Sequence, residues 1–113
     1  MYSKKPTRYY SNKQEKQVAK ISGGKKVANS GATTFYKGDV STDKILIECK
    51  TCTTPKKSFS IKKEWLEKNE EEAFAMNKHY SVLAFNFEED GDNYFIINER
   101  TFKKLLDYID TEE

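Results

Sequence analysis

The chain has 113 residues, of which 36% are hydrophobic and 34% are Asp, Glu, Lys or Arg, and its formal net charge is +2 at pH 7. This length suits one domain with a single core, and no apolar run approaches the roughly 20 residues that span a bilayer. The N-terminal sequence MYSKKPTRYY lacks the apolar core of a signal peptide. We therefore expect a soluble, cytoplasmic protein.

The charge is distributed unevenly along the chain. Residues 1–63 carry fifteen Lys or Arg against four acids, and residues 64–113 carry five against fourteen, so the two parts have formal charges of +11 and −9. Lysines that neutralise phosphates release condensed counterions, which favours binding to nucleic acid of any sequence. The alternative is an ordinary lysine-rich surface in contact with solvent, and composition alone leaves both possibilities open.

The N-terminal residues predict an arm followed by a helix. Residues 1–10 are polar, basic and aromatic, and Pro6 opposes a helix there, so we expect a flexible arm at 1–10 and a single domain at 11–113. The sequence NKQEKQVAKI at 12–21 contains good helix formers, and the SGG of 22–24 predicts its end.

A group of strands is predicted next. Residues 25–36 contain β-branched and aromatic residues, which favour a strand, a bend or bulge at Gly31 and a second strand ending near Asp39. The VSTD of 40–43 predicts a hairpin turn, and KILIECK at 44–50 is the clearest strand in the chain.

The rest of the chain predicts a helix, a hairpin and a final helix. The first of these is expected to be capped by Ser60, the hairpin strands at 80–87 and 94–98, and the last helix from about Glu99 to Tyr108. Four apolar residues of the last helix are expected to pack in the core: Phe102, Leu105, Leu106 and Ile109. The order predicts an α/β fold with a central mixed sheet flanked by helices, α-β-β-β-α-β-β-α.

The strand at 44–50 carries the candidate chemistry. Glu48 and Lys50 point to the same face because side chains alternate along a strand, and the preceding hairpin brings Asp39 next to Glu48. Two carboxylates held together repel one another unless a cation lies between them, and oxygen donors of this kind suit Mg²⁺ or Mn²⁺. Asp39, Glu48 and the backbone carbonyl of Cys49 are the expected ligands, and Lys50 is expected to deprotonate or position a metal-bound water that attacks a phosphodiester. Alternatively, Asp39 enters a hairpin and Glu48 and Lys50 form a surface ion pair.

Cys49 and Cys52 form a C-x-x-C pair. A structural zinc site needs four ligands, and the single histidine, His79, is far along the chain. We therefore expect a buried Cys49 and no specific role for Cys52.

The GD of 38–39, followed by ECK at 48–50, resembles the D…(D/E)-x-K signature of the PD-(D/E)xK nuclease superfamily. Many members carry a further acid on a preceding helix, which matches Glu15, and the superfamily core has the order α-β-β-β-α-β. The resemblance implies a restriction-endonuclease-like core, with Asp39, Glu48, Lys50 and Glu15 as catalytic residues and Glu15 as a further metal ligand. Glu15 is alternatively explained by the helix macrodipole.

Within the superfamily the chain is most similar to small Holliday-junction resolvases of the archaeal and phage type. The NSGA of 29–32 matches their Ser-containing turn at Ser30, although Ser before Gly is common in any turn. Two departures are Gly38 in place of proline and a shorter, more acidic C-terminal part. The resemblance implies a Mg²⁺-dependent, structure-selective DNA endonuclease of recombination and repair, acting on a four-way junction as a homodimer, in a host cytoplasm if phage-encoded.

Two other functions remain open on the sequence. One is a nuclease for flaps, single strands or invading DNA with the same chemistry, and the other is a DNA-binding module that keeps the fold without cutting. Residues expected to contact DNA are basic or aromatic, with one serine: Arg8, Tyr9, Lys25, Lys26, Ser30, Lys37, Lys56, Lys57, Lys62 and Lys63. Trp65 and Phe74 are expected in the core.

Overall fold

A single mixed sheet organises the protein. The computed structural model describes residues 5–27 and 39–112, and in these residues three helices and five strands follow the order α-β-β-β-α-β-β-α. The helices are α1 (Thr7–Ser22), α2 (Lys63–Ala75) and α3 (Glu99–Glu112), and the strands are β1 (Lys25–Lys26), β2 (Val40–Ser41), β3 (Ile45–Lys50), β4 (Tyr80–Phe85) and β5 (Tyr94–Ile97). The predicted α/β class and mixed sheet are confirmed. None of the helices described here combines the length and apolar composition needed to cross a membrane.

The strands lie in the order β1-β2-β3-β4-β5. β1, β2 and β3 are antiparallel neighbours, β3 and β4 are parallel, and β4 and β5 are antiparallel. A parallel pair needs a crossover connection, and α2 provides it between β3 and β4. β2, β3 and β4 therefore form the middle of the sheet.

The core lies between α1 and one face of this sheet. Its buried members are apolar residues of α1, β2, β3 and β4: Val18, Val40, Ile47, Val82 and Ala84. On the other face, α2 is held by the buried Asn69, whose Nδ2 donates to the carbonyls of Val82 and Leu46 at 3.1 and 3.4 Å. Because alternate residues of β3 face opposite sides, this one strand is covered by both helices.

α1 begins at Thr7, five residues before the predicted start, so part of the expected arm is helical. Contacts distant in sequence account for the difference, since Tyr10 is buried and the Tyr9 hydroxyl donates to Glu89 at 2.9 Å. Pro6 directly precedes the helix, where a missing N–H has no cost. The predicted end is confirmed, because Gly23 caps the helix with φ of +73°.

The β2–β3 connection is shifted from its predicted position. β2 begins at Val40, after Asp39, so the first two residues of the predicted VSTD turn are in the strand. Thr42 closes the turn, since its N–H donates to the carbonyl of Ile45 at 2.9 Å and its hydroxyl accepts from the Ile45 N–H at 3.1 Å. The bend expected at Gly31 lies outside the described residues.

Three expectations about the last two helices are wrong. α2 begins at Lys63 after Lys62, without a side-chain cap, so Ser60 does not cap it. Phe74 is 85% exposed and is not in the core. The apolar residues of α3 that were expected to pack in the core are exposed by 39–52%: Phe102, Leu105, Leu106 and Ile109. Helical periodicity identifies an apolar face, but it does not specify which surface covers that face.

Candidate functional site

Asp39 and Glu48 lie side by side at the centre of the sheet. Val40 pairs with Ile47, so the preceding Asp39 lies opposite Glu48 on the neighbouring strand. The backbone N–H of Asp39 donates to the carbonyl of Ile47 at 3.1 Å. Its carboxylate oxygen Oδ2 accepts a hydrogen bond from the Cys49 N–H at 2.8 Å. The structure thus brings the two acids together, as strand alternation and the hairpin predict.

The environment disfavours the charged forms of both carboxylates. Burial raises the pKa of Asp39 to about 7, and the neighbouring Glu48 and Glu15 carboxylates act in the same direction, while the Cys49 N–H and Lys50 act against it. Burial also raises the pKa of Glu48, and the Lys50 ammonium opposes that shift. A cation at this position would relieve the repulsion between the acids.

Glu15 reaches the same site from α1. It lies one turn before the core residue Val18, and its Oε1 is 3.5 Å from the Lys26 ammonium. Because the charge of Glu15 raises the pKa of Asp39, the two carboxylates are close enough to interact. Glu15 thus acts electrostatically on Asp39, and its role as a metal ligand stays a prediction.

Lys50 is held beside Glu48 by neighbours on both sides. Its Nζ lies 3.4 Å from Glu48 Oε2 and 4.5 Å from the ring centroid of Trp65. Trp65 is half-buried and forms a platform under the ammonium, a cation–π contact that the expectation of a core residue did not include. The position of Lys50 is thus fixed by a carboxylate and by an aromatic ring.

Gln14 is a site residue that the sequence reasoning missed. It is 1% exposed, and its Nε2 donates to the backbone carbonyl of Lys50 at 2.8 Å and to Asn93 Oδ1 at 3.2 Å. The sequence contained one indication that Gln14 is buried. Gln14 lies four residues from both Tyr10 and Val18, so it shares their buried face of the helix. A polar residue on that face needs a hydrogen-bond partner inside the protein. The partner is the backbone carbonyl of Lys50, at the end of β3.

The donor atoms suit a hard divalent cation. Asp39, Glu48 and the Cys49 carbonyl are oxygen donors, and Mg²⁺ usually binds one or two carboxylates and keeps several waters. In residues 5–27 and 39–112, no group of three or more His, Cys, Asp or Glu side chains is arranged to hold a metal ion. Two carboxylates, one backbone carbonyl and waters remain a fitting set for Mg²⁺ or Mn²⁺, and this ligation stays a prediction.

The predicted lysines in the β3–α2 connection are close to this site in the chain and exposed. Lys56 and Lys57 are in the loop that follows β3, and Lys62 and Lys63 are at the start of α2. Lys62 Nζ lies 5.8 Å from the centroid of the Trp65 ring that also contacts Lys50. Lys62 is therefore near Lys50 in space, and the other three lysines are close to it in the chain.

The other predicted DNA contacts have mixed positions. Lys25 and Lys26 are exposed in β1 opposite β2, so this pair is also close to Asp39, which the sequence did not predict. Arg8 is exposed on α1, whereas Tyr9 is half-buried and bonded to Glu89. Ser30 and Lys37 lie outside the described residues.

The cysteines do not form a disulfide, and both are partly buried. Burial raises the pKa of the Cys49 and Cys52 thiols, so both stay protonated at neutral pH. The Cys52 thiol donates to the carbonyl of Phe87 at 3.1 Å. Neither thiol has the character of a nucleophile.

Comparisons with protein-family models, curated proteins and solved structures gave no significant match. Function is therefore inferred from the residues and their geometry alone.

Proposed function

We propose that the protein is a Mg²⁺- or Mn²⁺-dependent, structure-selective DNA endonuclease, and specifically a Holliday-junction resolvase. The observation that carries the proposal is the position of Asp39 opposite Glu48, with the Lys50 ammonium 3.4 Å from the Glu48 carboxylate. Surface ion pairs rarely include a second, partly buried carboxylate that raises the cost of ionisation. An arrangement of two acids and a lysine fits metal-assisted phosphodiester hydrolysis better than a structural role.

Each residue has a defined task in this reaction. Asp39, Glu48 and the Cys49 carbonyl would hold the ion, which, when bound, lowers the pKa of a coordinated water and stabilises charge on the phosphate. Lys50 is placed to orient the attacking water or an oxygen of the scissile phosphate. The ring of Trp65 and the Glu48 carboxylate keep that ammonium in position, so little reorganisation is needed during the reaction.

The fold and the surface charge support the same proposal. The order α1-β1-β2-β3-α2-β4, with the acids at the β2–β3 pair, is compatible with a restriction-endonuclease-like core. The exposed lysines that follow β3 would contact backbone phosphates on either side of the cut. A four-way junction has two-fold symmetry and needs two cuts, so the proposal includes two copies of the chain.

The test compares Mg²⁺-dependent cleavage of a labelled four-way junction with cleavage of linear duplex, flap and single-stranded DNA. We expect paired, symmetric nicks in the junction. Asp39→Asn should lower the cleavage rate by at least about a hundredfold, with DNA binding unchanged or tighter, because one charged ligand is lost.

Asp43→Asn is the matched control, since Asp43 is exposed in the β2–β3 turn at the opposite end of β3. Equal cleavage by the Asp39→Asn and wild-type proteins would remove Asp39 from the site. Cleavage of flaps or single strands alone would indicate a different nuclease, and binding without any metal-dependent cleavage would indicate a DNA-binding module.

A further inference from the structure

Helix α3 carries an apolar stripe that the rest of the described chain leaves exposed. Phe102, Leu105, Leu106 and Ile109 share one face of the helix, because three- and four-residue spacings place side chains together. Each is between 39% and 52% exposed. None of the four belongs to the proposed catalytic site.

The first turn of α3 is fixed to the sheet, which gives the stripe a defined direction. Asn98 caps the helix, since its Oδ1 accepts from the Thr101 N–H at 2.8 Å. Arg100 donates to the carbonyl of His79, and its guanidinium lies 5.0 Å from the ring centroid of Tyr80. The helix therefore presents its apolar face in a set orientation.

We propose that this stripe binds the same stripe of a second copy, with the two α3 helices antiparallel across a two-fold axis. The apolar pattern is symmetric about the midpoint between Leu105 and Leu106. In an antiparallel pair Leu105 faces Leu106 of the partner subunit, and Phe102 faces Ile109 of the partner subunit. Such a pattern is self-complementary, as a two-fold interface requires.

The charges of α3 favour the antiparallel arrangement. Lys103 and Asp110 lie on the same flank of the stripe, seven residues and about 10 Å apart along the axis, so they do not pair within one helix. Across the two-fold axis, Lys103 would lie on the same flank as Asp110 of the partner subunit, two residues or about 3 Å from it along the axis. The last turn of α3 contains no basic residue, so Asp110 opposes the macrodipole of its own helix. An antiparallel neighbour brings basic residues to that end.

The area matches a weak dimer at the small end of the range of interface sizes. The exposed fractions of the four stripe residues sum to roughly 300 Å² per copy if a whole side chain offers about 150–200 Å². Tyr108, which is 65% exposed, and the flanking charges add to this. The total approaches the roughly 500 Å² per partner at the low end of specific interfaces.

Sedimentation velocity of the full chain, without DNA or metal, tests the proposal at concentrations up to about 100 μM, where micromolar contacts are populated. We expect the 13.2 kDa chain to form a dimer. Leu105→Glu should abolish the dimer, and Phe74→Glu, at an exposed apolar residue of α2, should leave it intact. A monomer at every concentration, or a dimer insensitive to Leu105→Glu, would overturn the proposal.

A charge exchange tests the antiparallel geometry separately. Lys103→Asp and Asp110→Lys should each raise the dimer dissociation constant about tenfold, because the two-fold axis makes each change act twice. The double variant should return to within about threefold of wild type. Circular dichroism checks that α3 stays helical in each variant. If the double variant is weaker than both single variants, the antiparallel pairing is wrong.

Discussion

Asp39 feels the charges of an acid on the neighbouring strand, Glu48, and of an acid on helix α1, Glu15. Burial and both neighbouring carboxylates raise the pKa of Asp39 to about 7. The Cys49 N–H bond, at 2.8 Å, opposes this shift and fixes the direction of the carboxylate. The carboxylate is thus held in one direction while being costly to ionise.

The free-energy cost of ionising Asp39 in the folded chain makes the stability of the metal-free protein depend on pH. The folded pKa of Asp39 is about 7 and its ordinary value is 3.8, so between these values the folded chain holds a proton that the unfolded chain has released. The free energy of unfolding should therefore fall as pH rises from about 4 to about 7, by about 2–4 kcal/mol. Asp39→Asn should remove most of this fall, because asparagine stays neutral. Chemical denaturation in a chelator, repeated across this pH range, measures it.

The raised pKa of Glu48 acts in the same direction, so some pH dependence should remain in the Asp39→Asn variant. Asp43→Asn serves again as the control and should leave the wild-type curve unchanged. Mg²⁺ should recover stability at pH 8 in the wild type and much less in the Asp39→Asn variant. A wild-type stability that rises with pH over this range would contradict the electrostatic account.

At the scale of elements, one buried side chain joins α1 to the end of the strand that carries Lys50. Gln14→Ala removes the bonds from its Nε2 to the Lys50 carbonyl and to Asn93 Oδ1, and leaves both partly buried acceptors without this donor. We expect the free energy of unfolding to fall by about 2–3 kcal/mol, measured by urea denaturation. Lys16 is exposed on the same helix, and Lys16→Ala is the control. Its free energy of unfolding should stay within about 0.5 kcal/mol of wild type. Equal stabilities of the two variants would show that the Gln14 bonds contribute little.

The elements with a strong periodic pattern were the ones the sequence predicted well. Alternation in ILIECK identified β3, and it placed Glu48 and Lys50 on one face, where the structure has them 3.4 Å apart. The start of α1 was missed because the contact of Tyr9 with Glu89 joins residues that are distant in sequence. Gln14 and Trp65 were missed as site residues for the same reason. Their partners lie on other elements, and a local pattern contains no information about them.

At the scale of the whole molecule, the two oppositely charged parts of the sequence do not form two separate regions of the fold. β3, from the basic part, pairs with β4, from the acidic part, and α2 connects them. Basic residues lie near the candidate site in β1 and in the connection that follows β3. Exposed acids lie on α2, in the β4–β5 turn and on α3. This distribution would repel DNA from most orientations and favour those that bring the β3–α2 connection to the phosphates.

If DNA binds in this orientation, the loss of DNA affinity on replacing a lysine should depend on where that lysine lies in the fold. It should not depend only on the change in net charge. Lys57→Glu, in the connection that follows β3, and Lys44→Glu, at the other end of β3, change the net charge equally. Lys57→Glu should weaken junction binding and lower the slope of log affinity against log salt by about one, because one phosphate contact is lost. Lys44→Glu should leave that slope unchanged. Fluorescence anisotropy from 50 to 300 mM salt, roughly the range where counterion release dominates, measures both slopes. If the two variants lost equal affinity for the junction, DNA binding would depend on the overall charge of the protein. The lysines after β3 would then contribute no more to binding than other lysines.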